Sequence, residues 1–141
     1  MDTNFEYIFE VRGHENIIGQ HKTTWQVTKE DHLTPQGDCI IGVASKIACI
    51  DLPSWLKDHL RNCGKIRVEM IVGELQLVGM AEGHKELTFE DEIDMVFRKS
   101  AFISPRTVAI NSTIVARDLP LSMIKLLQDP SSILQIKIVK L

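Results

Sequence analysis

The densest run of side chains able to bind ligands or move protons is Gly13-His14-Glu15-Asn16-Ile17-Ile18-Gly19-Gln20-His21-Lys22-Thr23-Thr24, and Gly37-Asp38-Cys39 adds a carboxylate and a thiol further on. His14 and His21 stand seven positions apart. With a loop between them, both imidazoles can face one cleft, where Asp38 or Cys39 would complete a nitrogen, oxygen and sulfur donor set for a divalent metal. The spacing matches none of the dense His/Cys metal motifs, so no metal is assigned, and turn hydrogen bonds are the competing use of both rings. His21 is also a candidate general base, with His14 or Asp38 as its orienting partner or as a metal ligand. Cys39 beside Asp38 suggests a nucleophile activated by either histidine. It begins an apolar run, however, where a buried thiol keeps its proton, so a core role is the better reading.

Thr23, Thr24, Lys99, Ser100 and Arg106 supply hydroxyls and cations suited to a carboxylate or phosphate, Arg106 through a bidentate fork. The leading expectation is therefore a polar cleft of His14, Asn16, His21, Thr23, Thr24, Gly37 and Asp38, assisted by Lys99 and Arg106, that takes a small polar or anionic ligand. A metal-dependent or histidine-dependent enzyme is the second reading. A non-enzymatic interaction module, or a homodimer formed through the edge of a strand at Leu134 to Val139, is the third. Asp51 and Asp118 are set aside as catalytic acids because each precedes Leu-Pro at a helix start and reads as a cap. Glu90-Asp91-Glu92 reads as a solvated acidic loop.

Positioning these groups falls to a mainly β scaffold. Phe5, Tyr7, Phe9 and Val11 alternate with Glu6, Ile8 and Glu10, the period of a half-buried strand, and Thr23 to Thr28 fits another. Thr34-Pro35-Gln36-Gly37-Asp38 is a turn, and the continuously apolar Cys39 to Ala44 suits a strand covered on both faces. Asp51, Pro53 and a left-handed Gly64 delimit a helix whose Leu52, Leu56 and Leu60 form one stripe. Strands follow at Lys65 to Val72 and Leu75 to Ala81, joined through Gly73-Glu74, then at Ile93 to Phe97 and Arg106 to Ile110, with a short one at Ile114 to Ala116. Asp118-Leu119-Pro120 opens a second helix with Met123, Ile124 and Leu127 on one face. Asp129-Pro130 stops it, and Leu134, Ile136 and Ile138 mark a final strand.

The order of the first half thus recurs. Setting Gly42 to Asn62 over Ala109 to Asp129, an offset of 109 minus 42, or 67, matches Ser45/Ser112, Ile47/Ile114, Asp51/Asp118, Leu52/Leu119, Pro53/Pro120 and Leu60/Leu127. Repeat units of about 33–73 and 103–141 within one domain, 1–141, predict an antiparallel barrel or sandwich with a pseudo-two-fold axis and two short helices. That organisation resembles cradle-loop and double-psi barrel proteins.

A net charge of -3 disfavours wholesale nucleic-acid coating. No uninterrupted apolar stretch suits a membrane span, Met1-Asp2-Thr3-Asn4 does not read as a signal peptide, and three cysteines without metal-finger spacing suit a reducing cytoplasm. Over nearly the whole chain, the pattern Gly-His-x-Asn, His-x-Thr-Thr and Leu-Thr-x-x-Gly-Asp-Cys-Ile-Ile-Gly-Val, with Arg98-Lys99-Ser100 and Arg106-Thr107, resembles the archaeal domain of unknown function family number 371. The resemblance implies a small archaeal-type protein with a mainly β fold. It carries no activity, substrate or catalytic residue to these positions.

Overall fold

The computed structural model describes residues 5–141. Eight strands and two helices run in the order β1 (Glu6–Arg12), β2 (Thr24–Thr28), β3 (Ile40–Gly42), α1 (Ser54–Arg61), β4 (Lys65–Val72), β5 (Leu75–Glu82), β6 (Asp94–Arg98), β7 (Thr107–Ala109), α2 (Leu121–Leu127) and β8 (Ile133–Lys140). Short 3-10 turns at Cys49–Asp51 and Ala116–Asp118 precede the helices.

The strands form two four-stranded sheets, ordered β1-β8-β4-β5 and β3-β2-β6-β7. The first is antiparallel throughout, but in the second β3 and β7 pair parallel to β2 and β6, which corrects the expectation of a wholly antiparallel fold. Among the described residues, only isolated bridges, Arg12 to Val43 and Glu82 to Ile110, join one sheet to the other. No closed barrel forms among the described residues, which leaves the sandwich of the two expected forms. β8 lies between β1 and β4 and is paired on both sides, so the edge interface expected at Leu134 to Val139 does not exist.

The period-two pattern explains the inner faces. Ile66, Val68, Met70 and Val72 of β4 and Leu134, Ile136 and Ile138 of β8 are buried in one cluster with Trp25, Val27, Met95 and Phe97 of the other sheet. Trp25 and Phe97 are cross-strand partners stacked 3.9 Å apart at 5°. The Trp25 indole N–H is the one buried side-chain nitrogen or oxygen without a hydrogen-bond partner among the described residues. Leaving it unpaired costs about 1–3 kcal/mol, within what burying so large a ring returns.

Several boundaries differ from expectation for local reasons. All five residues of β2 are buried, because the strand's polar face is covered as well. There Gln26 Oε1 accepts the Cys39 thiol at 3.3 Å, and Thr28 Oγ1 accepts the Glu30 N–H at 3.2 Å. Asp51 does not cap α1. It closes its own 3-10 turn by accepting the Ala48 N–H at 2.9 Å, Asp118 does the same for Val115 at 2.8 Å, and Pro53 and Pro120 stand at the helix caps. Cys63, with φ of 61°, rather than Gly64, supplies the left-handed residue after α1. Ile114 to Ala116 forms no strand; the chain turns there into the 3-10 segment.

Candidate functional site

The loops between β1 and β2 and between β2 and β3 are tied together by main-chain and side-chain bonds. Gln20 and His21 donate their N–H groups to the Asp38 carbonyl at 3.3 and 3.4 Å, and Asn16 Nδ2 donates to the Leu33 carbonyl at 2.7 Å. The first loop is also bound to the far half of the chain, since His14 N–H donates to the Leu127 carbonyl at 2.8 Å and Arg117 N–H to the His21 carbonyl at 3.0 Å.

Both histidines of the expected cleft spend a ring nitrogen on their own loop. His14 Nδ1 accepts the Asn16 N–H at 3.0 Å. His21 Nδ1 lies 3.2 Å from the N–H groups of both Thr23 and Thr24 and 3.0 Å from the Thr24 hydroxyl. An Nδ1 that accepts backbone N–H groups leaves the ring hydrogen on Nε2, so in this tautomer each imidazole offers a donor, whereas metal ligation or proton abstraction needs a lone pair. Among the described residues, no group of three or more His, Cys, Asp or Glu side chains is arranged to hold a metal ion.

The remaining expected residues divide into two groups. His21, Thr23, Thr24 and Lys99 come together, because Lys99 N–H donates to the Thr23 carbonyl at 2.8 Å and Thr24 pairs with Arg98 across β2 and β6. Asp38 joins them only through its carbonyl. His14 and Asn16 sit toward the other end of the loop, against Leu127 and Leu33. Gly37 closes a turn onto the Thr34 carbonyl, where a Cβ would press on Leu33. Arg106 is engaged by Asp94 at 3.3 Å. Burial pushes the Cys39 thiol pKa up, which outweighs the opposing Thr24 hydrogen bond and the Arg106 charge, so this cysteine is a poor nucleophile.

Beside His21 opens a surface cavity of about 340 Å³ lined by Gln20, Lys22 and Arg117. Two cations and an amide that both donates and accepts therefore face one space. Among the described residues, no ion pair occupies Lys22, Arg117 or the neighbouring Lys99, and only Lys29, Arg67, Arg106 and Lys137 of the lysines and arginines have carboxylate partners. In a chain of net charge -3, unneutralised cations gathered at one place make a local positive field. Sequence reasoning placed Gln20 and Lys22 in the polar segment without selecting them, and it missed Arg117, which sits just before the second Asp-Leu-Pro. The available signal was the 67-residue offset, which sets Arg117 over Ile50, a charge where the first half carries an apolar residue.

A family model described as "Domain of unknown function (DUF371)" matches residues 9–141. An uncharacterized protein of Methanocaldococcus jannaschii, MJ0206, is 42% identical over 124 residues, covering 88% of this chain and 92% of its own length. No helix among the described residues is long and apolar enough to cross a membrane.

Proposed function

The chain belongs to the DUF371 family, described only as a domain of unknown function, and from its site we propose that it binds a small oxyanion, a phosphoryl or carboxylate group, between Lys22 and Arg117. The supporting observation is the cavity of about 340 Å³ whose two cations, carried on segments joined by the Arg117 to His21 hydrogen bond, have no carboxylate partner among the described residues. Gln20 adds a neutral donor, and Thr23 and Lys99 extend the polar surface beyond the cavity. Arg117 provides the planar fork and Lys22 the point charge, the usual division of labour at an oxyanion. Of the originally expected ligand residues, His21, Thr23 and Lys99 stay close to this reading, whereas Arg106 is neutralised by Asp94.

Titration with inorganic phosphate and pyrophosphate at fixed ionic strength tests it. Saturable binding is expected, weakened about 5- to 10-fold by Arg117→Gln and by Lys22→Gln, since a charge-assisted hydrogen bond is worth roughly 1.5–3 kcal/mol before solvent screening at an open site reduces it. Lys29→Gln, whose cation already pairs with Asp51 at 3.1 Å, is expected to leave affinity unchanged. Absence of saturable binding, or equal affinity in the Lys22→Gln/Arg117→Gln double variant, rejects the site.

We further propose that the chain is a single domain of two related units running from about Arg12 to Val72 and Glu82 to Lys140, each longer than the repeat read from sequence. Matched local geometry supports this. Ser45 Oγ donates to the Ile47 carbonyl and Ser112 Oγ to that of Ile114; Ala44 and Asn111 both have positive φ, 55° and 52°, as do Gly19 and Phe89, 58° and 52°. Asp91 Oδ1 accepts the N–H groups of Ile93 and Asp94 as His21 Nδ1 accepts those of Thr23 and Thr24. Three free cysteines suit a reducing, cytoplasmic setting.

A further inference from the structure

A second cavity, of about 380 Å³, lies between the loop after β5 and the loop after β6, lined by His84, Glu86, Thr88, Ala101, Ile103, Ser104 and Pro105. Both walls are braced from behind. Arg61 of α1 donates to the Leu87 and Thr88 carbonyls, each at 3.1 Å, and its guanidinium lies 5.0 Å from the Phe89 ring centroid. Arg98 of β6 donates through Nε to Thr107 Oγ1 at 2.8 Å and through its terminal nitrogen to Ser104 Oγ at 3.0 Å. Among the described residues, neither arginine forms an ion pair with a carboxylate; both serve as struts. Phe89, buried with φ of 52°, holds a backbone conformation that side chains other than glycine rarely adopt, and it persists because its surroundings fix it. At the comparable place in the first half the gap is closed: Leu33 is buried and Asn16 reaches its carbonyl at 2.7 Å. The opening between the second pair of loops is therefore not a by-product of loops of this kind.

We infer that this cavity is a separate site for a small primary amine. Glu86 is the only carboxylate among the lining residues, and His84 Nδ1 is engaged by the Glu86 N–H at 3.1 Å. No lysine or arginine lines the cavity, which disfavours an anion there. An ammonium group meets the Glu86 carboxylate and the Thr88 and Ser104 hydroxyls, while Ala101, Ile103 and Pro105 cover a short aliphatic body. With both walls fixed before binding, little ordering cost falls on the ligand.

The test follows backbone amide shifts by NMR while n-butylamine is added to the whole protein, with butan-1-ol as the uncharged isostere. Saturable shifts confined to residues 84–88 and 101–104 are expected with the amine and not with the alcohol. Glu86→Gln, a change at an exposed side chain, is expected to weaken binding about 10-fold, whereas Arg117→Gln leaves it unchanged. Shifts scattered over all acidic surfaces, equal response to the alcohol, or affinity unaltered by Glu86→Gln would overturn the assignment. Because the readout maps the loops themselves, its failure is distinguishable from failure of the oxyanion site.

Discussion

Of the three free cysteines, Cys63 is exposed, Cys39 half-buried and Cys49 buried. They share one chemistry, so their differences report environment alone. Burial pushes the Cys49 thiol pKa from 9.0 up to about 12, with the nearby Asp91 and Asp94 charges adding to it, and its Sγ donates to the Asp94 carbonyl at 3.2 Å. A thiol-specific reagent at neutral pH is expected to label Cys63 first, Cys39 more slowly and Cys49 only after unfolding; labelling of native Cys49 at the rate of Cys63 would contradict the burial. The linkage has a definite sign. Because the folded state holds the Cys49 proton more tightly, its contribution to stability is complete below pH 9 and is lost as pH rises toward 12. Unfolding measured across that alkaline window should be less steep in pH for Cys49→Ala than for the parent. Asp51 behaves oppositely: the Ala48 N–H, then Lys29, hold its carboxyl below the ordinary 3.8, so its contribution is present above about pH 4 and lost as the pH falls below it.

Among the elements, Arg61 at the end of α1 is the clearest case of one element fixing another, since it holds two consecutive carbonyls of the loop that follows β5. Arg61→Met keeps the aliphatic stem but removes the donors, and is expected to cost about 1–3 kcal/mol. Amide exchange in residues 84–89 should accelerate about 10-fold or more. Acceleration spread evenly over β4 and β8 would mean global loosening instead. Helices and strands with one dry and one wet face were legible in the sequence: the alternation over β4 and β8 and the Leu52, Leu56 and Leu60 stripe all correspond to buried residues. β2 was harder, because loops cover its polar face and erase the burial contrast that alternation encodes. The parallel pairing of β3 and β7 left no trace, as three-residue strands carry too little pattern to reveal direction. The candidate site was only partly readable for a related reason. His21 and Thr23 stood in an obvious polar segment, but Arg117 reaches it through one backbone hydrogen bond to His21, across 117 minus 21, or 96, residues.

Across the whole molecule, the two halves exchange supports more than they stand side by side. The first loop is anchored on α2 by the His14 to Leu127 bond and by Gln128 Nε2 donating to the Ile17 carbonyl at 2.9 Å, and the loop after β5 is anchored on α1 by Arg61. β6 pairs with β2, and β8 lies between β1 and β4, so neither half completes a sheet alone. Close backbone approach reinforces the exchange: a Cβ at Gly83 would fall 1.9 Å from the Leu60 carbonyl oxygen, and one at Gly13 would fall 2.3 Å from that of Leu127. Gly83→Ala is accordingly expected to cost about 3 kcal/mol or more, beyond the usual 1–3 kcal/mol of an overpacked side chain, because backbone rather than a movable side chain must shift. One hydrophobic cluster joins both sheets and both helices, so unfolding should be all-or-none. Trp55→Phe leaves Trp25, at the stack with Phe97, as the one tryptophan, so emission excited at a wavelength selective for indole reports the sheet interior, while far-UV ellipticity reports the backbone as a whole. In urea, the two signals should share one midpoint, and Gly83→Ala should move both together. Separate midpoints, or a variant that shifts only one signal, would mean that the halves unfold independently and that the proposed single domain is two.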